Sequence, residues 1–155
     1  MGINNRNLIE FVLYHEEDIK RAVYERRFDS SIGKTGGCGS GHCIMSDPTA
    51  QTAIKHIAEI RSVMIEYGAA TCGKRNTVTV RNPEKWLRLI SYTRTYYQNR
   101  TGGRLFEMRY TKNMNRSEIM EALQLSASQY HALLNDVLRF AEGVAIGIGI
   151  FGNYR

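Results

Sequence analysis

Beyond Ser126 the apolar residues Tyr130, Leu133, Leu134, Val137, Leu138 and Ala141 recur at three- and four-residue steps, a pattern that only an α-helix gathers onto one side. Ser126 stands where a helix cap belongs. At about 100° per residue the opposite line is Ser128, Ala132, Asn135 and Arg139, with Gln129 and His131 at its flanks. One face of this helix is therefore built for a core, and the other carries short hydrogen-bonding groups and almost no charge. Upstream, Asn115 followed by Glu118 forms a capping arrangement for a helix of barely two turns, "RSEIMEAL", with Ile119, Met120 and Leu123 inward and Leu125 filling the turn. Two helices about a tight turn, over residues 116 to about 142, are the expected outcome, and they pose the question of whether the pair reads DNA or only packs on a core.

Similar punctuation organises the rest of the chain. In "SDPT" Asp47 can cap and Pro48 fits a first helical turn, and the stripe Ala50, Ala53, Ile54, Ile57, Ile60, Val63, Met64 and Tyr67 predicts a helix from 48 to 67, ended by Gly68. "NPEKW" repeats the device with Asn82 and Pro83, and Trp86, Leu89, Ile90, Thr93 and Tyr97 form a stripe running to the glycines of "NRTGG", which should stop the helix. Trp86 is central on that stripe and reads as core rather than as a platform for a base, whereas Tyr92 and Tyr96 lie off it. "RLFEMRY" supplies a short helix with Leu105, Phe106 and Tyr110 inward. "TVTV" at 77–80 reads as a strand or an extended connector, and with no second strand visible the connector is favoured.

Residues 6–28 form an amphipathic stripe of Leu8, Phe11, Val12, Ile19, Ala22, Val23 and Arg26, and "DSSIGKTGGCGSGHCIM" follows, too rich in glycine and serine for a regular element. The expected class is all-α: an N-terminal amphipathic helix (1–28), a Gly/Ser-rich linker or loop (29–46), and a helical domain (47–155) carrying the helix-turn-helix.

Charge placement narrows the function. The net charge is +6, yet residues 81–116 hold nine Lys/Arg against two Asp/Glu, while residues 1–80 hold ten against nine and 117–155 two against four. A basic block this concentrated attracts phosphate polyanions, and double-stranded DNA is the expected partner. Arg81, Lys85, Arg88, Arg104, Lys112 and Arg116, with Arg139 from the last helix, are the candidate phosphate contacts, beside Arg94 and Arg100. They would hold the backbone while the uncharged helix face reads bases. Two readings stand for Arg109: a partner of Glu118 that steadies the short helix, or another phosphate contact.

Other classes find less support. The "GKT" at Gly33 lacks the glycine five places earlier that a phosphate-binding loop needs, since Phe28 is there. Cys38, His42, Cys43 and Cys72 carry zinc-ligating atoms but no paired CxxC, so they are weak metal candidates, and an odd cysteine count suits thiols in a reducing compartment. No orienting group accompanies a Cys/His pair, and no enzyme or cofactor is expected. The longest apolar run, Val144 to Phe151, is too short and too broken by glycine to span a membrane, and the first residues lack a secretory layout; a cytoplasmic protein is expected.

The order of "NPEKW", an aromatic-rich helix, "LFEMRY", "NRSEIMEALQLSASQYHALL" and an alanine-containing last helix resembles the RinA/ArpU-type regulators of phages and prophages, whose C-terminal half is similar to region four of sigma factors. The "SDPTA" segment after a glycine-rich stretch resembles theirs as well, so the likeness spans about residues 46–146. It implies an activator of phage late or packaging genes in a bacterial host, binding promoter DNA without a cofactor and working with host RNA polymerase. Carried over by position, the base-reading residues are Ser126, Ser128, Gln129, His131 and Asn135. Two departures stand out: Gln124 occupies the place where such motifs commonly have a turn glycine, although a non-glycine residue can adopt the left-handed backbone at modest cost, and "HALLN" stands where family members often place a basic or aromatic residue.

The expectation is thus a sequence-specific DNA-binding transcriptional regulator, a homodimer because paired reading heads double the site read. The rivals are a packaging component resembling a small terminase subunit, and a helical interaction protein with no DNA role.

Overall fold

The computed structural model describes residues 5–28, 59–71 and 74–151. The chain divides into two compact units, one formed by Met1–Glu17 with Lys85–Arg155 and the other by Asp18–Glu84. The described elements are α1 (Asn5–Tyr14), α2 (Glu16–Phe28), β1 (Ser62–Thr71), β2 (Lys74–Arg81), α3 (Pro83–Tyr97), α4 (Thr101–Phe106) running into a π-helical turn (Glu107–Thr111), α5 (Arg116–Ala122) and α6 (Ala127–Gly147). The described residues are mostly helical, as expected, with one two-stranded sheet that an all-α reading had no place for.

The larger unit is organised around α6, which at 21 residues is about 30 Å long. Tyr130, Leu134, Val137, Leu138, Ala141 and Ala145 are its buried face, and α1 and α4 pack on it. Every residue of the α3 stripe, Trp86, Leu89, Ile90, Thr93 and Tyr97, is buried. Thr93 brings a hydroxyl into that stripe and satisfies it by donating to the Leu89 carbonyl at 2.9 Å. Trp86 meets Phe151 edge to face with ring centroids 5.7 Å apart, the place of a core side chain. Leu105, Phe106 and Tyr110 point inward as expected. The glycines of "NRTGG" do not end α3 but sit in the first turn of α4. A Cβ on Gly102 would lie 2.6 Å from the Tyr97 ring and one on Gly103 2.2 Å from the Tyr97 carbonyl oxygen, so only glycine lets the chain double back this tightly.

Three expectations are corrected. The single amphipathic helix over 6–28 is two helices with a break at His15, whose N–H is shared between the Phe11 and Val12 carbonyls; Ile9, Val12 and Leu13 are buried from α1 and Ile19 from α2. The helix expected from 48 to 67 is, from Ser62, a β-strand, and residues 48–58 lie outside the described residues. "TVTV" is its antiparallel partner rather than a connector, with Val63 opposite Val80 and Ile65 opposite Val78. Burial explains the error: Val63 and Ile65 are buried while Ser62, Met64 and Glu66 are exposed, a two-residue alternation that a helical stripe through Val63, Met64 and Tyr67 cannot satisfy. Gly68, at φ +83°, stands at the irregularity between Tyr67 and Thr71 instead of capping a helix. Past β2, the Asn82 N–H donates to the Arg61 carbonyl at 2.8 Å, and Pro83 opens α3.

Candidate nucleic-acid interface

The stretch from Asn115 to Asn135 is assembled almost wholly from local hydrogen bonds. Asn115 and Glu118 form a reciprocal capping box, the Asn115 N–H donating to Glu118 Oε2 at 2.9 Å and the Glu118 N–H to Asn115 Oδ1 at 3.0 Å. At the other end of α5 the Gln124 N–H reaches the Glu121 carbonyl and the Leu125 N–H the Met120 carbonyl, the paired bonds of a Schellman closure. That closure requires a left-handed residue, and Gln124 supplies it at φ +53° without being glycine. A second capping box starts α6: the Ser126 N–H donates to Gln129 Oε1 at 2.8 Å, and the Gln129 N–H to Ser126 Oγ at 3.3 Å. Two of the expected base-reading side chains, Ser126 and Gln129, are therefore engaged as caps.

Behind α6 an ion pair fastens the larger unit. Arg109 donates to Glu10 Oε1 at 2.6 Å and to the Tyr130 hydroxyl at 2.7 Å, and its guanidinium lies 5.5 Å from the Tyr14 ring centroid and 5.6 Å from that of Tyr110. Burial is the largest single influence and works against its charge, but the Glu10 hydrogen bond and the neighbouring Tyr14, Tyr110 and Tyr130 together outweigh it and hold the guanidinium above its ordinary value. Glu118, the partner expected for Arg109, is taken by its own capping box, so that reading is corrected: the partner is Glu10, and Arg109 is turned away from any phosphate role. Arg94 is likewise bound to Glu16, through two hydrogen bonds of 3.1 and 2.5 Å.

The outer face of α6 stays open. Ser128, His131, Ala132, Asn135, Asp136 and Arg139 are all exposed. His131 leans edge-on against Tyr130, centroids 5.5 Å apart, and the Arg116 guanidinium lies 5.7 Å from the same Tyr130 ring, which brings a cation beside the first turn. Along one flank Asp136 accepts a hydrogen bond from the Tyr97 hydroxyl at 2.7 Å, and Phe140 stacks on Tyr96 at 4.1 Å, with Arg100 4.2 Å above the Tyr96 ring. Tyr96, off the α3 stripe, thus joins α3 to α6, and Tyr92 remains exposed. Along the other flank comes a residue the sequence did not single out: Arg6 of α1 donates to Asn135 Oδ1.

Of the candidate phosphate contacts, Arg88, Arg104, Lys112, Arg116 and Arg139 are exposed and Lys85 half-buried in the larger unit, whereas Arg81 closes β2 in the other. None of these forms an ion pair with a described residue. The basic block is thus less charged outwardly than its composition suggests, since Arg94 and Arg109 are bound by carboxylates from the N-terminal helices. Cys38, His42, Cys43 and Cys72 lie outside the described residues, among which no group of three or more metal-ligating side chains gathers. Among the described residues no helix is long and apolar enough to cross a membrane. In comparisons with known proteins, no family model, no curated protein and no solved structure matches the chain.

Proposed function

We propose that this protein is a sequence-specific DNA-binding regulator in which α5, the Gln124 turn and α6 act as a helix-turn-helix, α6 entering the major groove by its first turns. One observation carries this reading: α6 is sealed on one side and open on the other, and its open line of Ser128, Ala132, Asn135 and Arg139 starts at a capped N-terminus with Arg116 beside it. Short polar groups near a helix start suit base edges, and flanking cations suit phosphates. Because Ser126 and Gln129 serve as caps, Ser128, His131 and Asn135 are the side chains best placed to read bases. The resemblance to RinA/ArpU-type regulators supports the same assignment and points to phage or prophage late and packaging genes, read by a homodimer that engages host RNA polymerase.

The test is a random-duplex selection with the full chain at two salt concentrations, with light scattering on the free protein. An enriched, dyad-related sequence and a dimer support the proposal. Failure to enrich any sequence overturns it, and rings of eight or more subunits favour a packaging component instead.

A further inference from the structure

Asp136 stands on the open side of α6 and is exposed there. At about 100° per residue it lies about 40° from Ala132, so it faces much the same way as the line proposed to read bases. Its carboxylate is held in place: the Tyr97 hydroxyl donates to Oδ2 at 2.7 Å, and the Tyr97 ring is itself buried, edge-on to Tyr96 and Phe140. A rigid post thus orients the acid, while Oδ1 has no hydrogen-bond partner among the described residues. Asp136 also lines an open hollow with Thr101, Leu125, Gln129, Ala132 and Leu133, none of them a cation. A carboxylate only accepts, so at a base edge it is matched by an amino group and opposed by O6, N7 or O4. In an A·T pair the adenine N6 amino group lies between two acceptors, N7 and the thymine O4. In a C·G pair the cytosine N4 amino group has an acceptor, the guanine O6, on one side alone, which makes cytosine the better match.

We infer that Asp136, oriented by the Tyr97 hydroxyl, selects cytosine in the major groove, with Tyr97 as its positioning residue. This rests on the DNA-binding reading above. A carboxylate on a DNA-facing surface repels phosphates wherever it sits, so it favours the register that brings an amino group to it and penalises the others. An acid in this place adds specificity while lowering affinity.

Random-duplex selection on the wild type, Asp136→Asn, Asp136→Ala and Tyr97→Phe tests it, each variant first checked by thermal melting. The wild type should select cytosine at one position of each half-site. Asp136→Asn, whose amide both donates and accepts, should weaken that preference by about five- to a hundredfold and admit adenine, leaving the other positions unchanged. Asp136→Ala should lose the preference at the same position and hold random duplex no more weakly than the wild type, because a negative charge has gone. Tyr97→Phe should keep cytosine as the favoured base with a smaller margin, at that position alone. Asp136→Asn or Asp136→Ala selecting the wild-type sequence, as an acid reserved for a cationic protein partner would, or altering many positions together, overturns the inference while leaving DNA binding intact. An undiminished margin in Tyr97→Phe overturns the positioning role of Tyr97. A wild type that enriches nothing overturns both the inference and the DNA-binding reading.

Discussion

Tyr110 illustrates what one side chain does for this unit. Its ring is buried against Phe106 and edge-on to Tyr14, but its hydroxyl has no hydrogen-bond partner among the described residues. A buried donor left unmade costs free energy, so Tyr110→Phe should leave stability unchanged or raise it by up to about 1 kcal/mol in denaturant melts; a comparable loss would show that the hydroxyl is satisfied. Burial, with Glu10 nearby, pushes the Tyr110 hydroxyl well above the ordinary tyrosine value, and burial with the hydrogen bond to Asp136 does the same for Tyr97. Above about pH 10 the unfolded chain releases these protons while the folded one keeps them. The folded state then binds more protons, and stability should fall as pH rises past 10, less steeply in Tyr110→Phe, as melting curves from pH 8 to 11 would show. Gln124 holds a left-handed backbone that favours glycine, so Gln124→Gly should stabilise the protein by about 0.5–1 kcal/mol, and a β-branched residue there should do the reverse.

At the scale of elements, the best-determined pieces are those that close upon themselves. Both capping boxes join residues three apart, which is why Asn115 with Glu118 and Ser126 with Gln129 could be read from the sequence. Ser126→Ala should cost about 1 kcal/mol by loss of the cap. Gln129→Glu should preserve it, because glutamate accepts the same Ser126 N–H, while placing a negative charge at the proposed groove; an unchanged melting temperature with weakened DNA retention is the expected pair of results, and undiminished retention would place Gln129 away from DNA. The hairpin teaches the opposite lesson. "SVMIEY" fits a helical stripe and a strand alternation about equally well, and the choice falls to strand because β2 lies alongside with Val80 opposite Val63. A helix satisfies its backbone within itself, whereas a strand cannot do so without a neighbour.

For the whole molecule, the distribution of charge decides how DNA could be held. Lys112 and Arg116 are exposed and without ion pairs to described residues, and each alanine substitution should lower affinity for any duplex and reduce the salt dependence by about one ion, measured as the slope of log affinity against log salt. Arg94 and Arg109 belong to the same basic stretch, but their replacement should act through stability, since each holds a carboxylate of the N-terminal helices. Composition counts all four alike, and only the fold separates them. By itself the sequence determined what depends on near neighbours: the caps, the buried stripes of α3 and α6, the turn at Gln124 and the polar line on the far side of α6. The tertiary structure alone decided what depends on distant ones: the pairing of β1 with β2, the junction of Arg109 with Glu10 across 99 positions, and the meeting of Arg6 with Asn135 across 129. Helical periodicity and capping are written over three or four residues, but which cation finds a carboxylate or an amide is settled only when the packed core brings remote segments together.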